Sequence, residues 1–258
     1  MGVLDRFALD GETAIVTGAA RGLGKEMADA LAEAGADVAI VDVDIETAEA
    51  TASELEEIGV DTTAVEVDVT DEAEVEAMVE TVTDRLGPID VLINNAGIAA
   101  NAPAEEMEYE TWQKTLDVNL SGVFLCAKHV GRRMLERSEG RIVNIASMSA
   151  YNVNVPQPQV GYNASKAGVL MVTKSMAVEW ADRGVRVNAI APGYMRTDLV
   201  EEVLEADPEM ERTWVDNTPM GRLGRPDDLR GIVVYLASEA SAYTTGEIVR
   251  VDGGYTSR

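Results

Sequence analysis

The sequence is poor in two residue types that often form crosslinks or carry chemistry. It has one cysteine, Cys126, and one histidine, His129, in 258 residues. A single cysteine excludes an internal disulfide and fits a reducing compartment, so we expect a cytoplasmic protein. A single histidine argues against a histidine-based metal centre and against a Ser-His triad. We expect no metal, with carboxylate ligands for a hard cation as the alternative in so acidic a chain.

Long apolar runs are also missing. No run reaches the roughly 18 residues that a membrane-spanning helix needs, and the opening residues, MGVLDRFALDGE, lack the basic-then-apolar pattern of a secretory signal. We therefore expect no membrane partner. Hydrophobic residues still make up 46% of the chain. That content supports a sizeable core, and the length suits one domain spanning residues 1–258.

Basic residues are scarce. There are 21 Lys and Arg against 46 Asp and Glu, which gives a net charge of −25, and only five of the basic residues are lysine. Binding to nucleic acid needs a basic patch, so we expect no nucleic-acid partner. Acidic residues spread along the chain, together with few lysines, resemble the composition of proteins from salt-loving organisms. We therefore expect stability to rise as salt screens the self-repulsion; an ordinary acidic mesophilic protein is the alternative.

Short apolar runs alternate with helical patterns from one end of the chain to the other. Strands are predicted at about 13–17, 37–41, 61–67, 89–93, 141–145, 185–190 and 247–251. Helices are predicted at about 25–34, 44–58, 71–86, 108–137, 162–182 and 227–237. Such alternation is typical of a parallel sheet with helices on both faces. We predict an α/β, Rossmann-like, doubly wound sheet of seven parallel strands.

A glycine-rich turn, T-G-x3-G-x-G from Thr17, joins the first predicted strand to the first helix. Such a turn lets backbone N–H groups approach a pyrophosphate at a helix N-terminus. Its spacing departs from G-x-G-x-x-G, and plain turn chemistry is the alternative. Asp42, at the end of the second strand, suits the adenosine ribose and would repel a 2′-phosphate, so NAD is favoured over NADP. Arg21 instead favours NADP, because an arginine at that position can bind the 2′-phosphate.

Tyr162 and Lys166 lie four residues apart in a predicted helix and so share one face. A phenol ordinarily titrates near pH ~10, and a fixed ammonium nearby favours the phenolate, so we expect a lowered pKa for Tyr162. Such a pair is suited to exchanging a proton with a hydroxyl or carbonyl group. A solvated helix start with the same spacing by chance is the alternative.

These features follow one another in a recognisable order. The markers after the glycine turn are Asp68, Asn94–Gly97, Asn119, Ser147, Tyr162, Lys166, Asn188, Pro192-Gly193 and Asp252-Gly-Gly254. From about residue 10 to its end, the chain resembles the short-chain dehydrogenase/reductase family. The resemblance implies hydride transfer between a nicotinamide and a carbinol carbon, with Tyr162 as general acid/base. It also implies that Lys166 holds the nicotinamide ribose. Asn119 would perturb the long helix and hold a water that links Lys166 to solvent.

The resemblance also assigns a serine to the substrate oxygen and a set of residues to the cofactor. The family usually places the tyrosine about thirteen residues after this serine, which points to Ser149, whereas Ser147 lies fifteen residues before Tyr162. We favour Ser147 because the preceding stretch from Gly140 matches the strand that delivers the serine. Predicted cofactor contacts are Gly18, Arg21, Gly22, Leu23, Gly24, Asp42, Asp68, Val69, Asn95, Ala96, Gly97, Tyr162, Lys166, Pro192, Gly193, Met195 and Thr197.

Substrate is expected at a loop spanning about 192–225, together with an amide-rich stretch at 151–160 and residues 99–101. Predicted substrate contacts are Ser147, Asn154, Gln159, Tyr162 and Trp214. The amide-rich stretch resembles polyol, sugar and gluconate dehydrogenases of the family, which implies NAD-dependent oxidation of a secondary alcohol of a polyol, sugar or sugar acid. A 3-oxoacyl-thioester reductase using NADPH and a non-catalytic dinucleotide-binding scaffold are the alternatives. The resemblance further implies a homotetramer packed through helices 108–137 and 161–182 and the last strand.

Overall fold

A seven-stranded parallel sheet forms the centre of the computed structural model, which describes residues 2–257 apart from the side chain of Leu199. The strands are β1 (Thr13–Thr17), β2 (Asp37–Asp42), β3 (Thr62–Glu66), β4 (Ile89–Asn94), β5 (Gly140–Ile145), β6 (Val185–Pro192) and β7 (Ile248–Val251). Their order is 3-2-1-4-5-6-7, and every pair is parallel. The predicted fold is confirmed. The order reverses between β1 and β4, where open sheets of this kind bind ligands beyond the carboxyl ends of their strands.

Helices cover both faces of this sheet. They are α1 (Gly22–Glu33), α2 (Ile45–Glu56), α3 (Glu72–Leu86), α4 (Tyr109–Leu116), α5 (Val123–Arg137), α6 (Val160–Trp180), α7 (Asp198–Ala206), α8 (Pro208–Asp216) and α9 (Arg230–Ala237). One core joins α1, α2 and α9 to the sheet, and a second core joins α3, α5 and α6. Within β1, Val16 enters the first core and Ile15 the second, because successive strand side chains point to opposite faces.

The helix predicted over 108–137 is interrupted. A π-helical segment, Asp117–Gly122, separates α4 from α5 and contains the fully buried Asn119. Asparagine has low helix propensity, and its amide here bonds to the neighbouring loop instead of to solvent. The predicted perturbation of this helix is confirmed. Single π turns inside α-helices are often found at functional sites.

Helices α7 and α8 form a cap beyond the carboxyl end of β6. The cap has its own small apolar cluster, in which Leu204, Trp214 and Leu223 are buried and Tyr194 packs against them. The helix predicted from about 227 begins instead as a 3-10 turn, Pro226–Leu229, before α9. Among residues 2–257, no helix combines the length and apolar character needed to cross a bilayer.

Candidate active site

The glycine-rich turn runs tightly beneath the end of β4. Gly18 has φ +63°, and a Cβ there would lie 2.8 Å from the Cα of Ala96. A Cβ on Gly24 would clash with the carbonyl oxygen of Gly18. Gly22 differs, because a Cβ there would meet nothing nearer than the Thr197 methyl group, at 3.9 Å. The turn therefore has no room for a side chain at Gly18 or Gly24, whereas the space beside Gly22 is open.

Helix α1 directs its first N–H groups toward that open space. No side chain in the described part of the chain caps α1, and its first turn has no acidic residue. Helices α2 and α3, in contrast, are capped by Asp44 and Asp71. An uncapped helix N-terminus beside open space suits the negative charge of a phosphate. These residues fit the pyrophosphate of a dinucleotide.

The stretch after β4 is locked onto the glycine turn. Asn95 Nδ2 donates to the carbonyl oxygens of Thr17 and Gly18, both at 2.9 Å. The Thr17 hydroxyl oxygen accepts from the backbone N–H groups of Asn95 at 3.0 Å and Ala96 at 3.1 Å. The fold thus brings together three predicted cofactor residues from two strand ends.

Two carboxylates stand where the adenosine ribose is expected. Asp42 Oδ2 accepts from the Ala20 N–H at 3.1 Å, so the carboxylate lies against the glycine turn. Its Oδ1 accepts from the Asp44 N–H at 3.2 Å. Arg21, whose side chain is 75% exposed, lies 3.7 Å from Asp44 Oδ2. The two Asp44 carboxylate oxygens accept hydrogen bonds from the backbone N–H and hydroxyl of Thr47, so Asp44 serves as the cap of α2.

The remaining predicted cofactor residues lie around the same edge of the sheet. Asp68 accepts from the Thr70 N–H at 2.9 Å, and Val69 is buried against Gly122 of the π segment. Pro192 ends β6, and the Gly193 N–H donates to the Val251 carbonyl at 2.9 Å. The Met195 side chain is buried in the first core, and the partly buried Leu23 side chain packs against that core.

Helix α6 presents Tyr162 and Lys166 one turn apart. Lys166 Nζ lies 5.7 Å from the centre of the Tyr162 ring and donates to the Ile145 carbonyl at 2.7 Å. Lys166 is buried, and burial lowers its pKa to about 8. An ammonium held by a single carbonyl keeps further N–H donors for a ligand.

The pKa of Tyr162 departs from the sequence-based expectation. Burial raises it, and a hydrogen bond with Ser147 opposes the rise. We predicted that Lys166 lowers the pKa of Tyr162. For the protein chain alone, that prediction is wrong. The reason is physical: desolvation disfavours the phenolate more strongly than the surrounding protein groups favour it.

Ser147 and Ser149 are hydrogen-bonded to each other, with 3.0 Å between their hydroxyl oxygens. Ser147 is the one that also acts on Tyr162, because its hydroxyl lowers the pKa of the phenol against the effect of burial. Gln159 donates to the Ser149 hydroxyl at 3.3 Å and to Asn163 at 3.0 Å. Both N–H groups of the Gln159 amide are thus engaged within the protein, and the predicted contact of Gln159 with substrate stays a prediction.

Asn119 ties the π segment to the loop after β4. Its Oδ1 accepts from the Ile98 N–H at 2.8 Å, and its Nδ2 donates to the Ile98 carbonyl at 2.9 Å and to Ser165 at 3.1 Å. A Cβ on Gly97 would lie 3.3 Å from Asn119 Oδ1 and 3.5 Å from Lys166 Nζ. Ile98 acts through backbone atoms, which no side-chain motif reveals. The predicted water link stays a prediction.

The cap contacts the amide-rich stretch through side chains. Trp214 stacks on Tyr194 with 4.0 Å between ring centres, and its indole N–H donates to Gln157 at 3.2 Å. Asn154 donates to the Tyr194 hydroxyl oxygen at 3.1 Å. Trp214 is buried within the cap, so its contact with substrate stays a prediction. Sequence reasoning missed Tyr194, although its position directly after Pro192-Gly193 was a signal.

Comparison with known proteins agrees with this geometry. Residues 18–256 match the family described as enoyl-(acyl carrier protein) reductase. The chain is 44% identical to galactitol 2-dehydrogenase of Rhizobium johnstonii, over 99% of both chains. It is also 44% identical to D-threitol dehydrogenase of Mycolicibacterium smegmatis, over 97% of this chain and 95% of the relative. The chain belongs to the short-chain dehydrogenase/reductase family. The predicted resemblance is confirmed.

This short-chain dehydrogenase/reductase is an oxidoreductase that acts on CH–OH groups of a small molecule with a nicotinamide dinucleotide. A gluconate 5-dehydrogenase of Burkholderia cenocepacia, solved with NADP and tartrate, superposes with a TM-score of 0.94 at 39% identity over 100% of both chains. That relative binds NADP, so the choice between NAD and NADP depends on the residues of this chain. Within residues 2–257, no group of three or more His, Cys, Asp or Glu side chains suits a metal ion.

Proposed function

We propose that this protein uses NAD to interconvert a secondary alcohol and a ketone on a polyol, sugar or sugar acid. The observation that carries the proposal is the meeting of Tyr162 and Ser147 with the amide-rich stretch 151–160 at one edge of the sheet. Similarity to galactitol and threitol dehydrogenases supports a polyhydroxylated substrate. Residues 1–258 act as one dinucleotide-binding domain, and the segment at about 192–225 covers the substrate.

The chain's own residues supply the proton chemistry. When bound, the nicotinamide accepts or supplies hydride at its C4 position. Ser147 donates a hydrogen bond to the substrate oxygen and stabilises the charge that develops there. Tyr162 takes the hydroxyl proton as the alcohol is oxidised and returns it as the ketone is reduced. Lys166, whose ammonium lies 5.7 Å from the centre of the Tyr162 ring, holds the nicotinamide ribose with its remaining N–H groups.

A substrate and cofactor panel tests this proposal. Polyols, sugar acids and 3-oxoacyl thioesters are assayed with NAD and NADP in molar KCl. We expect polyol oxidation with NAD to have the highest kcat/KM, because the chain's net charge of −25 disfavours an acidic carrier. Faster thioester reduction with NADPH would favour the reductase alternative. Absence of turnover with every pair would favour a non-catalytic scaffold.

The preference for NAD is expected to depend on Asp42. In the wild-type protein, kcat/KM with NAD should exceed that with NADP by about 100-fold, since two unit charges ~4 Å apart repel by up to ~4 kcal/mol near a protein surface. Asp42→Asn should shrink this ratio by about tenfold or more. Glu49→Gln, which removes an exposed charge from α2, is the matched control and should leave the ratio unchanged. A wild-type protein that prefers NADP would contradict the proposal.

We further propose that the protein is a homotetramer in which helices α5 and α6 pack against a second copy. A groove of about 780 Å³ runs between these helices, lined by apolar residues that include Leu120, Phe124 and Met171. Met171 is 62% exposed and Phe124 46% exposed. Contiguous exposed apolar surface of this kind is typical of an interface.

Light scattering after size-exclusion chromatography tests this assembly. Met171→Glu should reduce the mass from four chains to two or one, because it buries a charge in the interface. Val3→Glu changes an apolar residue outside the groove that is at least as exposed as Met171 and should leave the mass unchanged. A wild-type protein that runs as a single chain would refute the assembly.

We also infer adaptation to a salt-rich cytoplasm. Acidic residues outnumber basic ones by 46 to 21, so self-repulsion weakens the fold until salt screens it. The melting temperature should rise by several degrees between dilute buffer and molar KCl. Equimolar sucrose, which is uncharged, separates screening from general solute effects. An equal melting temperature in dilute buffer and KCl would contradict the inference.

A further inference from the structure

Residues 252–257 follow β7, and we call them the C-terminal turn. Asp252 holds this turn together: its Oδ1 accepts from the Gly254 N–H at 2.9 Å, and its Oδ2 accepts from the Thr256 N–H at 3.0 Å. The Thr256 hydroxyl also donates to Oδ2. Chain ends are usually poorly ordered unless such bonds fix them. The marker Asp252-Gly-Gly254 therefore specifies a fixed conformation that the proton chemistry of the site does not itself require.

The C-terminal turn contacts the segment that follows α8 through backbone atoms. The Gly253 carbonyl accepts from the Met220 N–H at 3.1 Å. Gly253 has φ +61°, and a Cβ there would lie 2.7 Å from the Thr218 methyl group, so this close approach requires glycine. Thr218 is bonded to the cap, because its hydroxyl donates to the Trp214 carbonyl of α8 at 2.8 Å. The turn is thus joined to the far end of the cap.

The same turn contacts the near end of the cap through one aromatic ring. Tyr255 is buried, and its ring lies edge-on to that of Tyr194, with 5.6 Å between ring centres and 87° between planes. Edge-to-face packing is a favourable geometry for two aromatic rings. The Gly224 N–H donates to the Tyr194 carbonyl at 2.8 Å, so the two ends of the cap meet. One short turn can therefore hold both ends.

Tyr194 connects the C-terminal turn to the catalytic residues. The Gln157 amide nitrogen lies 3.1 Å from the Tyr194 hydroxyl oxygen. Two residues further on, the Gln159 amide is bonded to the Ser149 hydroxyl, which is bonded to the hydroxyl of Ser147. Direct contacts and a short stretch of chain thus join the C-terminal turn to the serine expected to bind the substrate oxygen.

We propose that the C-terminal turn clamps the cap over the substrate, with Asp252 and Tyr255 as positioning residues. The inference rests on the proposed function, in which the segment at about 192–225 covers the substrate. Tyr255 acts through Tyr194, and Asp252 acts by holding the turn, so neither needs to contact the substrate. A cap that is released part of the time lowers the population able to bind, which raises KM. Saturating substrate restores that population, so kcat is retained.

Limited proteolysis with trypsin tests the clamp without any turnover. The Arg212 side chain, in α8, is 72% exposed, and cleavage after it requires local opening of the helix. In Tyr255→Ala without ligand, we expect this cleavage to be about tenfold faster than in the wild type. Tyr255→Phe keeps the ring and should stay within about threefold of the wild-type rate. Mass spectrometry identifies the fragments. Cleavage after Arg85, exposed in α3, reports on the rest of the fold and should be unchanged.

Steady-state kinetics with the best polyol substrate give a second readout. KM for the polyol should rise about tenfold in Tyr255→Ala and about threefold or more in Asp252→Asn, whose amide nitrogen would face an N–H donor. The value of kcat and the affinity for NADH should change less than about threefold. Combining Tyr255→Ala with Tyr194→Leu should raise KM no further than Tyr194→Leu alone, because both residues act through one contact.

Tyr235→Ala is the matched control for loss of a packed tyrosine. Tyr235, in α9, is half-buried, and its ring packs against Phe7 with 6.4 Å between ring centres. The variant should lower the melting temperature, as Tyr255→Ala should. We expect it to leave KM and the rate of cleavage after Arg212 unchanged.

The two readouts separate the clamp from the function on which it rests. Unchanged cleavage after Arg212 in both Tyr255→Ala and Asp252→Asn would overturn the inference, whatever the protein oxidises. Faster cleavage in those variants, with no alcohol oxidised by the wild type, would support the hold on the cap and refute the proposed function. If Tyr235→Ala changed KM and cleavage as Tyr255→Ala does, the role of the turn would be structural only, and the inference would be overturned.

Discussion

Tyr162→Phe should lower kcat by about 10³-fold or more in both directions, because general acid–base catalysis commonly contributes about 10²–10⁴-fold and phenylalanine has no proton to exchange. The ring itself would be retained beside Lys166, 5.7 Å from Nζ, so the affinity for NADH should change less than about threefold. Steady-state turnover and quenching of protein fluorescence by NADH measure the two quantities separately. Tyr243→Phe, which changes a fully exposed tyrosine, is the control.

The pH dependence gives this variant a second readout. Burial raises the pKa of Tyr162, so the phenolate that takes a proton from the alcohol is scarce at neutral pH. Alcohol oxidation should therefore accelerate as pH rises, and ketone reduction, which needs the protonated phenol, should slow. The residual rate of Tyr162→Phe should lose this dependence. If Tyr162→Phe turned over as fast as the wild type, the proposed mechanism would be refuted and a non-catalytic scaffold would be favoured.

Ser147→Ala should lower kcat by about 10²–10³-fold or more, as expected for loss of a donor to the developing charge on the substrate oxygen. Ser149→Ala should lower kcat by about tenfold or less. The Ser149 hydroxyl is hydrogen-bonded to Ser147 and Gln159, so we expect it to affect the reacting atoms only through Ser147. Each variant removes one hydroxyl oxygen from the same stretch of chain, so each serves as the control for the other.

Single-turnover measurement of hydride transfer, followed by NADH absorbance, gives the decisive comparison for the serines. A deuterated carbinol carbon should slow the Ser147→Ala reaction if chemistry limits it. A larger loss in Ser149→Ala than in Ser147→Ala would transfer the role to Ser149, in agreement with the usual family spacing. Equal small losses would indicate that neither serine contacts the reacting oxygen.

Much of the fold could be predicted because its physical causes are local. Runs such as 38–41 are apolar on both faces, which is typical of a buried parallel strand. The glycine turn after Thr17 indicated the first strand–helix junction, since close backbone approach there excludes a Cβ. The four-residue spacing of Tyr162 and Lys166 was enough to place them on one face of α6.

Other features depend on contacts between distant segments. The π segment around Asn119 forms because that amide bonds the Ile98 backbone, 21 residues away. Lys166 is held by the Ile145 carbonyl, and a backbone atom leaves no trace in side-chain patterns. The pKa of Tyr162 rises because of burial, which no spacing rule reports.

The amino-acid sequence by itself determined the order of strands and helices, the glycine turn and the residue types available for proton transfer, because each follows from short-range periodicity and chemistry. Tertiary structure alone decided which groups meet: Asp42 with Ala20, Ser147 with Tyr162, and Trp214 with Gln157. The physical reason is that hydrogen-bond direction, desolvation and charge repulsion depend on distances across space. Those distances exist only once the sheet has brought its strand ends to one edge.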